Sequence, residues 1–253
     1  MAMRGNFTGV TQIVKYNARY YIASVCVTLA IGVLLWLQLF SRSGQAVLIG
    51  ACVLTVFWTL SSLIASYYVY DYARVTRWNW LPGMLLFQPC QWLNIRAGLD
   101  ESTSILTQLL PGTSYTLLDI YDPREMTEPS IARARRFSPA VRPGAASKMD
   151  ALPLADRSCD TAFLLFTAHE IRHPSRRTEF LQEVARIMTN SGQLLLVEHL
   201  RDWKNFVAYG PGFLHFYSRN EWLRVVREAG LTIEGESSVT PFVRLFVIRK
   251  EAA

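Results

Sequence analysis

Two stretches without a charged residue constrain this chain more than any other feature. After Arg19 no charge appears until Arg42, and after Arg42 none appears until Asp71. Each gap exceeds the roughly 20 residues that an α-helix needs to cross a bilayer. Tyr21 to Phe40 and Gln45 to Tyr67 therefore read as two transmembrane helices joined by a tight turn. The first is too long for a signal-peptide core, and no small-residue cleavage site precedes Arg42. A purely soluble chain is nearly excluded.

Basic residues beside the spans set the expected orientation, because they stay on the cytoplasmic side. Arg4, Lys15 and Arg19 precede the first span without an acid, Arg42 stands alone in the turn, and Arg74 and Arg77 follow the second. Both termini and everything after the hairpin are thus expected in the cytoplasm, at the inner membrane. Tyr20, Tyr21, Trp36, Tyr67, Tyr68 and Tyr70 sit where an aromatic belt belongs. Ala30, Gly32, Gly50 and Ala51 are small enough to let helices of two copies meet, so a homo-oligomer through the spans is allowed. The layout is a cytoplasmic segment 1–20, a hairpin 21–70, a linker 71–91 and a soluble domain 92–253. In the linker, Trp78, Trp80 and residues 84–87 suit either an interfacial segment or a helix packed on the next domain.

Composition agrees. Of 253 residues 51% are apolar and only 18% charged, against about 25% in typical soluble domains. The formal net charge of +6 suits an anionic membrane surface, and bases and aromatics interleave too weakly for nucleic acid. Cys26, Cys52, Cys90 and Cys159 form no CxxC pair, which argues against a zinc ribbon and for a reducing compartment without disulfides.

Beyond Gln91 the periodicity changes. Strands are expected near 92–95, 115–120, 161–166, 193–197, 231–234 and 242–248, with a short third strand ending by Met149. Helices are expected over 101–110, 123–137, from 175 or 176 to 188, and 220–229. Such βα repeats imply a Rossmann-like α/β domain: a seven-stranded, mostly parallel sheet with helices on both faces. Ligands of such sheets bind outside the carboxyl ends of the strands.

The loops there carry a resemblance. The run Asp150-Ala-Leu-Pro-Leu-Ala-Asp156-Arg-Ser-Cys-Asp160, the strand Phe163–Phe166 with Ala168-His169-Glu170-Ile171, and Glu183-Val-Ala-Arg186 through Gly192 to Glu198-His199 resemble class I S-adenosylmethionine-dependent methyltransferases, in particular the quinone-biosynthesis-like branch. The resemblance implies S-adenosylmethionine as cofactor. It implies that Asp119 holds the ribose hydroxyls and Asp150 the adenine amino group, with Ala151 and Thr167 nearby. The family's first loop has an acid and then three glycines at alternate positions; here it reads Asn94-Ile-Arg96-Ala-Gly98-Leu-Asp100. Only the middle glycine is kept, so Arg96 and Asp100 put side chains where backbone would approach the cofactor. Arg96 crowds the site unless it grips the cofactor's carboxylate.

His169, after the fourth strand, is the expected general base or substrate orienter, with Glu198 and His199 as second candidates. The aromatic segment 200–217 supplies Trp203, Tyr209, Phe213 and His215 as candidate walls of an acceptor pocket. Residues 169–173 also spell HExxH, a zinc-peptidase pattern. Pro174 ends the helix that pattern needs and no third ligand is well placed, so the match reads as coincidence and no metal site is expected. The resulting expectation is a membrane-anchored methyltransferase for a hydrophobic or lipid-like acceptor. The alternatives are a catalytically degenerate methyltransferase-fold scaffold and, behind it, a zinc metallopeptidase.

Overall fold

The charge-free sequence becomes helix. The computed structural model describes residues 7–97, 99–100, 102–137 and 145–250. A short amphipathic helix, α1 (Thr8–Tyr16), precedes α2 (Ala18–Trp36) and α3 (Arg42–Tyr67). Both α2 and α3 are long and apolar enough to cross a membrane. Large apolar side chains stay uncovered along them, among them Ile22, Leu29 and Trp36 on α2 and Val47, Val53 and Ile64 on α3. The first span stops short of the expected Phe40 because Gln38 takes a left-handed φ of 52°. Ser41 then caps α3, its hydroxyl accepting from the Gly44 N–H. Tyr21 and Ser62 tie the two helices through their hydroxyls at 2.9 Å.

The linker differs from an interfacial segment. It folds as a π-turn over Tyr68–Tyr72 and two 3-10 turns, Val75–Arg77 and Leu81–Met84. Trp78 and Leu81 are buried against the sheet, while Met84 and Leu86 remain exposed. Packing wins here because the sheet face beneath needs an apolar cover. Asp71 fixes the start of α1: its carboxylate accepts from the backbone N–H groups of Gly9 and Val10, each at 2.8 Å. That contact joins an acid to a helix N-terminus, where the backbone dipole favours it.

Seven strands follow: β1 (Gln91–Arg96), β2 (Ser114–Asp119), β3 (Ala145–Ala146), β4 (Cys159–Leu165), β5 (Met188–His199), β6 (Leu231–Thr240) and β7 (Val243–Lys250). Their order is β3-β2-β1-β4-β5-β7-β6, parallel apart from the antiparallel β7, and β3 is only two residues long. Helices α4 (Thr103–Leu109), α5 (Pro129–Phe137), α6 (Pro174–Ile187), α7 (Trp203–Tyr209) and α8 (Arg219–Glu228) lie between them. The expected helix from Pro123 begins instead at Pro129. Asp122 accepts from the Arg124 N–H and closes a separate turn, and the second proline takes the first helical position. β5 also starts early, at Met188, and its pairing with β4 breaks register before resuming at Thr161 and Gln193.

Alternation along the strands builds two cores. Leu93, Leu164, Leu196 and Phe246 point to the face covered by α6 and α8. Trp92, Phe163, Leu195 and Leu245 point to the face closed by Trp78, Leu81 and Leu106 of α4. Chain order reverses between β1 and β4, which places the switch point beside Arg96 and Leu165.

Candidate functional site

Each strand tip next to the switch point delivers polar side chains. At the end of β1, Arg96 occupies the turn, 3% exposed, its Nη1 3.0 Å from Asp100 Oδ2 and its Nε 3.6 Å from Asp119 Oδ2. The register explains the second contact, since Arg96 lies directly beside Asp119 across the β1–β2 pair. The other Asp100 oxygen accepts from the Thr103 N–H at 2.9 Å and caps α4. Asn94 turns to α4 as well, donating to Ser102 and Thr103 hydroxyls at 2.9 and 2.8 Å. Asp119 also meets Arg135 of α5 at 3.4 Å, and that guanidinium lies 4.1 Å over the Tyr121 ring. Asp150 is half-exposed and pairs with Arg176 at 3.1 Å. Ala151 is exposed beside it. Gly98 lies outside the described residues.

The tips of β4 and β5 hold a buried polar cluster. Phe166 takes a left-handed φ of 54°, turning the chain sharply so that Thr167 and His169 face inward. Strained backbone of this kind persists only where the surroundings hold it. His169 Nδ1 is 2.6 Å from Oε2 of Glu198, whose Oε1 accepts the His169 backbone N–H at 3.2 Å. His169 Nε2 lies 3.4 Å from Glu170 Oε1, and its ring meets that of His215 edge-on at 5.0 Å. His215 Nδ1 in turn lies 3.5 Å from Glu128, which also faces Arg172 at 3.7 Å. Burial works against a charge on His169, but Glu198 and Glu170 outweigh it and push its pKa to about 10. A ring held protonated at neutral pH orients and donates, which suits the substrate-orienting role of the two expected for His169 over that of a general base.

His199 is the opposite case. Its Nε2 is 3.0 Å from the Tyr70 hydroxyl, its Nδ1 2.9 Å from the Phe242 carbonyl, and its ring stacks on Phe216. Burial, helped by the charge on His169, pulls its pKa down to about 3. It is a neutral ring with both nitrogens engaged, joining the linker to the sheet. Glu198 is fully buried and spends both oxygens on His169.

A cavity of about 910 Å³ opens onto this cluster. Its inner wall includes Arg96, Thr167, His169, Glu170 and His215; its outer wall includes Tyr21, Leu54 and Trp58 of the long helices. Tyr209 and His215 line it, whereas Phe213 packs on Phe206 and Trp203 is 72% exposed. Asp119 and Asp150 do not line it. The joint between hairpin and domain is close: Trp58 meets Phe206 edge-on at 5.5 Å, and Ser61 donates to the Val207 carbonyl at 2.9 Å. Sequence reasoning missed Glu128 and Arg172, which carry no motif of their own, and missed the long helices as part of a pocket wall.

The family described as a methyltransferase domain matches residues 98–196. No curated protein matches the chain. Among solved structures, an S-adenosylmethionine-dependent methyltransferase from Aquifex aeolicus is 18% identical with a TM-score of 0.53, over 71% of this chain and 94% of that one. The mitomycin 7-O-methyltransferase MmcR is 14% identical with a TM-score of 0.54, over 98% of this chain and 74% of that one. The cyclase SpnF is 14% identical with a TM-score of 0.52, over 72% and 82%. The fold is therefore the Rossmann-like methyltransferase fold, and the methyltransferase-domain match indicates S-adenosylmethionine as the cofactor.

Proposed function

We propose that this chain is a membrane-anchored, S-adenosylmethionine-dependent methyltransferase acting on a hydrophobic, lipid-like acceptor at the cytoplasmic membrane face. The observation that carries the acceptor class is the cavity. One wall is built from the apolar helices and the other from the polar cluster at the strand tips. An amphiphile fits such a space, with its apolar body against Leu54 and Trp58 and its polar head toward His169 and Arg172. Exposed Trp203, Val207 and Leu214 continue the apolar surface of the hairpin onto the domain and support contact with the bilayer interface.

The donor set at the strand tips suits the adenosine of the cofactor, since Asp119 and Asp150 can accept from paired hydroxyls and an amino group. In this structure both carboxylates are held by arginines, and Arg96 fills the turn that the family keeps open with glycine. The residues fit the cofactor when Arg96 and Arg135 yield Asp119 to it. When bound, S-adenosylmethionine supplies an electrophilic methyl group. The chain's own part is to bind and orient. Glu198 fixes the His169 ring, the imidazolium can donate to an acceptor oxygen, and Glu170, whose Oε2 has no partner among the described residues, can take a proton.

The test uses full-length protein in lipid nanodiscs with methyl-labelled S-adenosylmethionine and a lipid extract. Label should enter the organic phase and fall at least tenfold in Glu170→Gln. Calorimetry that detects no S-adenosylhomocysteine binding at millimolar ligand would refute the reading.

A further inference from the structure

His169, Glu170 and His215 come together from the loop after β4 and the segment after α7, and the notable point is what they share. One ligand atom of each, two imidazole nitrogens and a carboxylate oxygen, lie within 4.8 Å of one another. We propose that these three side chains form a binding site for a divalent transition-metal cation, open on its remaining side to the cavity where it would coordinate an oxygen of the acceptor's head.

Four observations converge on it. The first is spacing. Ligands at about 2.1 Å from a tetrahedral ion stand roughly 3.4 Å apart, a consequence of the usual Zn–N and Zn–O lengths. His169 Nε2 and Glu170 Oε1 are already 3.4 Å apart, so only His215 needs a modest approach. The second is an unanswered acceptor. The Glu170 side chain is about nine-tenths buried, yet its Oε2 has no hydrogen-bond partner among the described residues. A buried carboxylate oxygen left without a donor is costly, and a cation held by both oxygens of Glu170 would satisfy it.

Third, the supporting shell has the form that metal-bound histidines use. Such histidines usually present their second nitrogen to a carboxylate, which fixes the ring. His169 does so to Glu198 at 2.6 Å and His215 to Glu128 at 3.5 Å, leaving the other nitrogen of each ring for an ion. Fourth, the charges do not balance. Glu128, Glu170 and Glu198 meet here against two cations among the described residues, the Arg172 guanidinium and the His169 imidazolium, whose Nε2 proton a bound ion would replace. Two imidazoles with a carboxylate favour zinc, iron or manganese over magnesium and calcium, which prefer oxygen alone.

The site is not the HExxH pattern, although it shares two residues with it. His173 is exposed, bonds Ser175 at 3.0 Å and precedes α6. Its place as second histidine is taken by His215, more than forty residues downstream, which no local pattern announces.

The experiment titrates chelator-stripped, detergent-purified full-length protein with zinc chloride and separately with manganese chloride, by calorimetry. One ion should bind per chain. His215→Ala and Glu170→Gln should each weaken binding at least 100-fold, Glu198→Gln 10- to 100-fold, and His173→Ala not at all. Saturating zinc should raise the unfolding midpoint of the wild type and leave that of Glu170→Gln unchanged. Absence of stoichiometric binding overturns the proposal, as does retention in both His215→Ala and Glu170→Gln or an equal loss in His173→Ala. Glu170→Gln changes no volume, so it remains informative if His215→Ala does not fold. S-adenosylhomocysteine titrated into the same samples reads the methyltransferase assignment separately, because ion binding here requires no cofactor.

Discussion

Replacing both Arg96 and Asp100 by glycine should restore the open turn and tighten binding of the cofactor product. Side chains of the pair are 4% and 8% exposed, and the guanidinium also faces Asp119 at 3.6 Å. Removing one member of a buried pair costs about 3–5 kcal/mol because the other is left uncompensated. Arg96→Gly alone should therefore destabilise the fold strongly. The double variant avoids the stranded charge at position 100, and Asp119 keeps Arg135. Its costs are the lost cap on α4, about 1 kcal/mol, and about 0.5–1 kcal/mol for each glycine, so roughly 2–3 kcal/mol in sum. On the ligand side, wild-type protein must first separate a charged hydrogen bond worth about 1.5–3 kcal/mol. At 1.4 kcal/mol per tenfold, the double variant should bind S-adenosylhomocysteine about 10- to 100-fold more tightly. Calorimetry on detergent-purified protein reads this directly. A double variant that folds and binds no more tightly than wild type would show that Arg96 does not compete with the cofactor.

Stability should fall as pH drops below 6.5. His199 is held neutral in the fold with a pKa near 3, so the unfolded chain binds more protons between those values and gains on acidification. By pH 5 the loss is about 2 kcal/mol, facing Tyr70, Asn205 and the charge on His169; thermal melts of His199→Asn should show a shallower pH slope, and an unchanged slope would exclude this source. Gly210→Ala should weaken the joint between hairpin and domain. Its φ is +53° and an added Cβ would lie 2.6 Å from Trp58 Cγ, so about 1–3 kcal/mol of overpacking is expected, read from the unfolding midpoint and Trp58 fluorescence. Cysteine labelling tests the membrane reading. Cys26 on α2 and Cys52 on α3 should resist an impermeant maleimide in intact membranes, and Cys90 should react only once the cytoplasmic side is opened; labelling of Cys90 from outside would reverse the orientation.

How far the sequence could be read depends on the range of the interactions involved. The long helices and buried strands are set by apolar periodicity, a property of neighbouring residues, so α6 and β4 fell within a residue or two of expectation. The start of α5 did not, because Pro123 and Pro129 are equally good openers and Asp122 chose between them through its own turn. The linker was ambiguous for a similar reason. Trp78 reads the same whether a bilayer or a sheet covers it, and only the sheet's exposed face decided.

The polar cluster shows the limit most clearly. Glu128, His169, Glu170, Glu198 and His215 belong to four separate segments, and the contacts between segments cross 29 residues at the least, in the pair of His169 with Glu198. Each has an ordinary local reading: an acid before a proline, a histidine after a strand, an acid closing a strand. What makes them a site is that β4 and β5 are adjacent and parallel, so Leu165 pairs with Val197 and the next residues emerge side by side. The segment after α7 then folds back, its His215 carbonyl held by Arg172 at 2.7 Å. Adjacency at the switch point therefore supplies the polar cluster, and the helical hairpin supplies the apolar outer wall of the cavity. A soluble domain with the same sheet would keep the cluster and lose the outer wall of the cavity. For that reason Trp58→Ala should change the apparent affinity for a lipophilic acceptor while leaving S-adenosylhomocysteine binding as it was. A variant that lost both equally would place the two ligands in one undivided pocket.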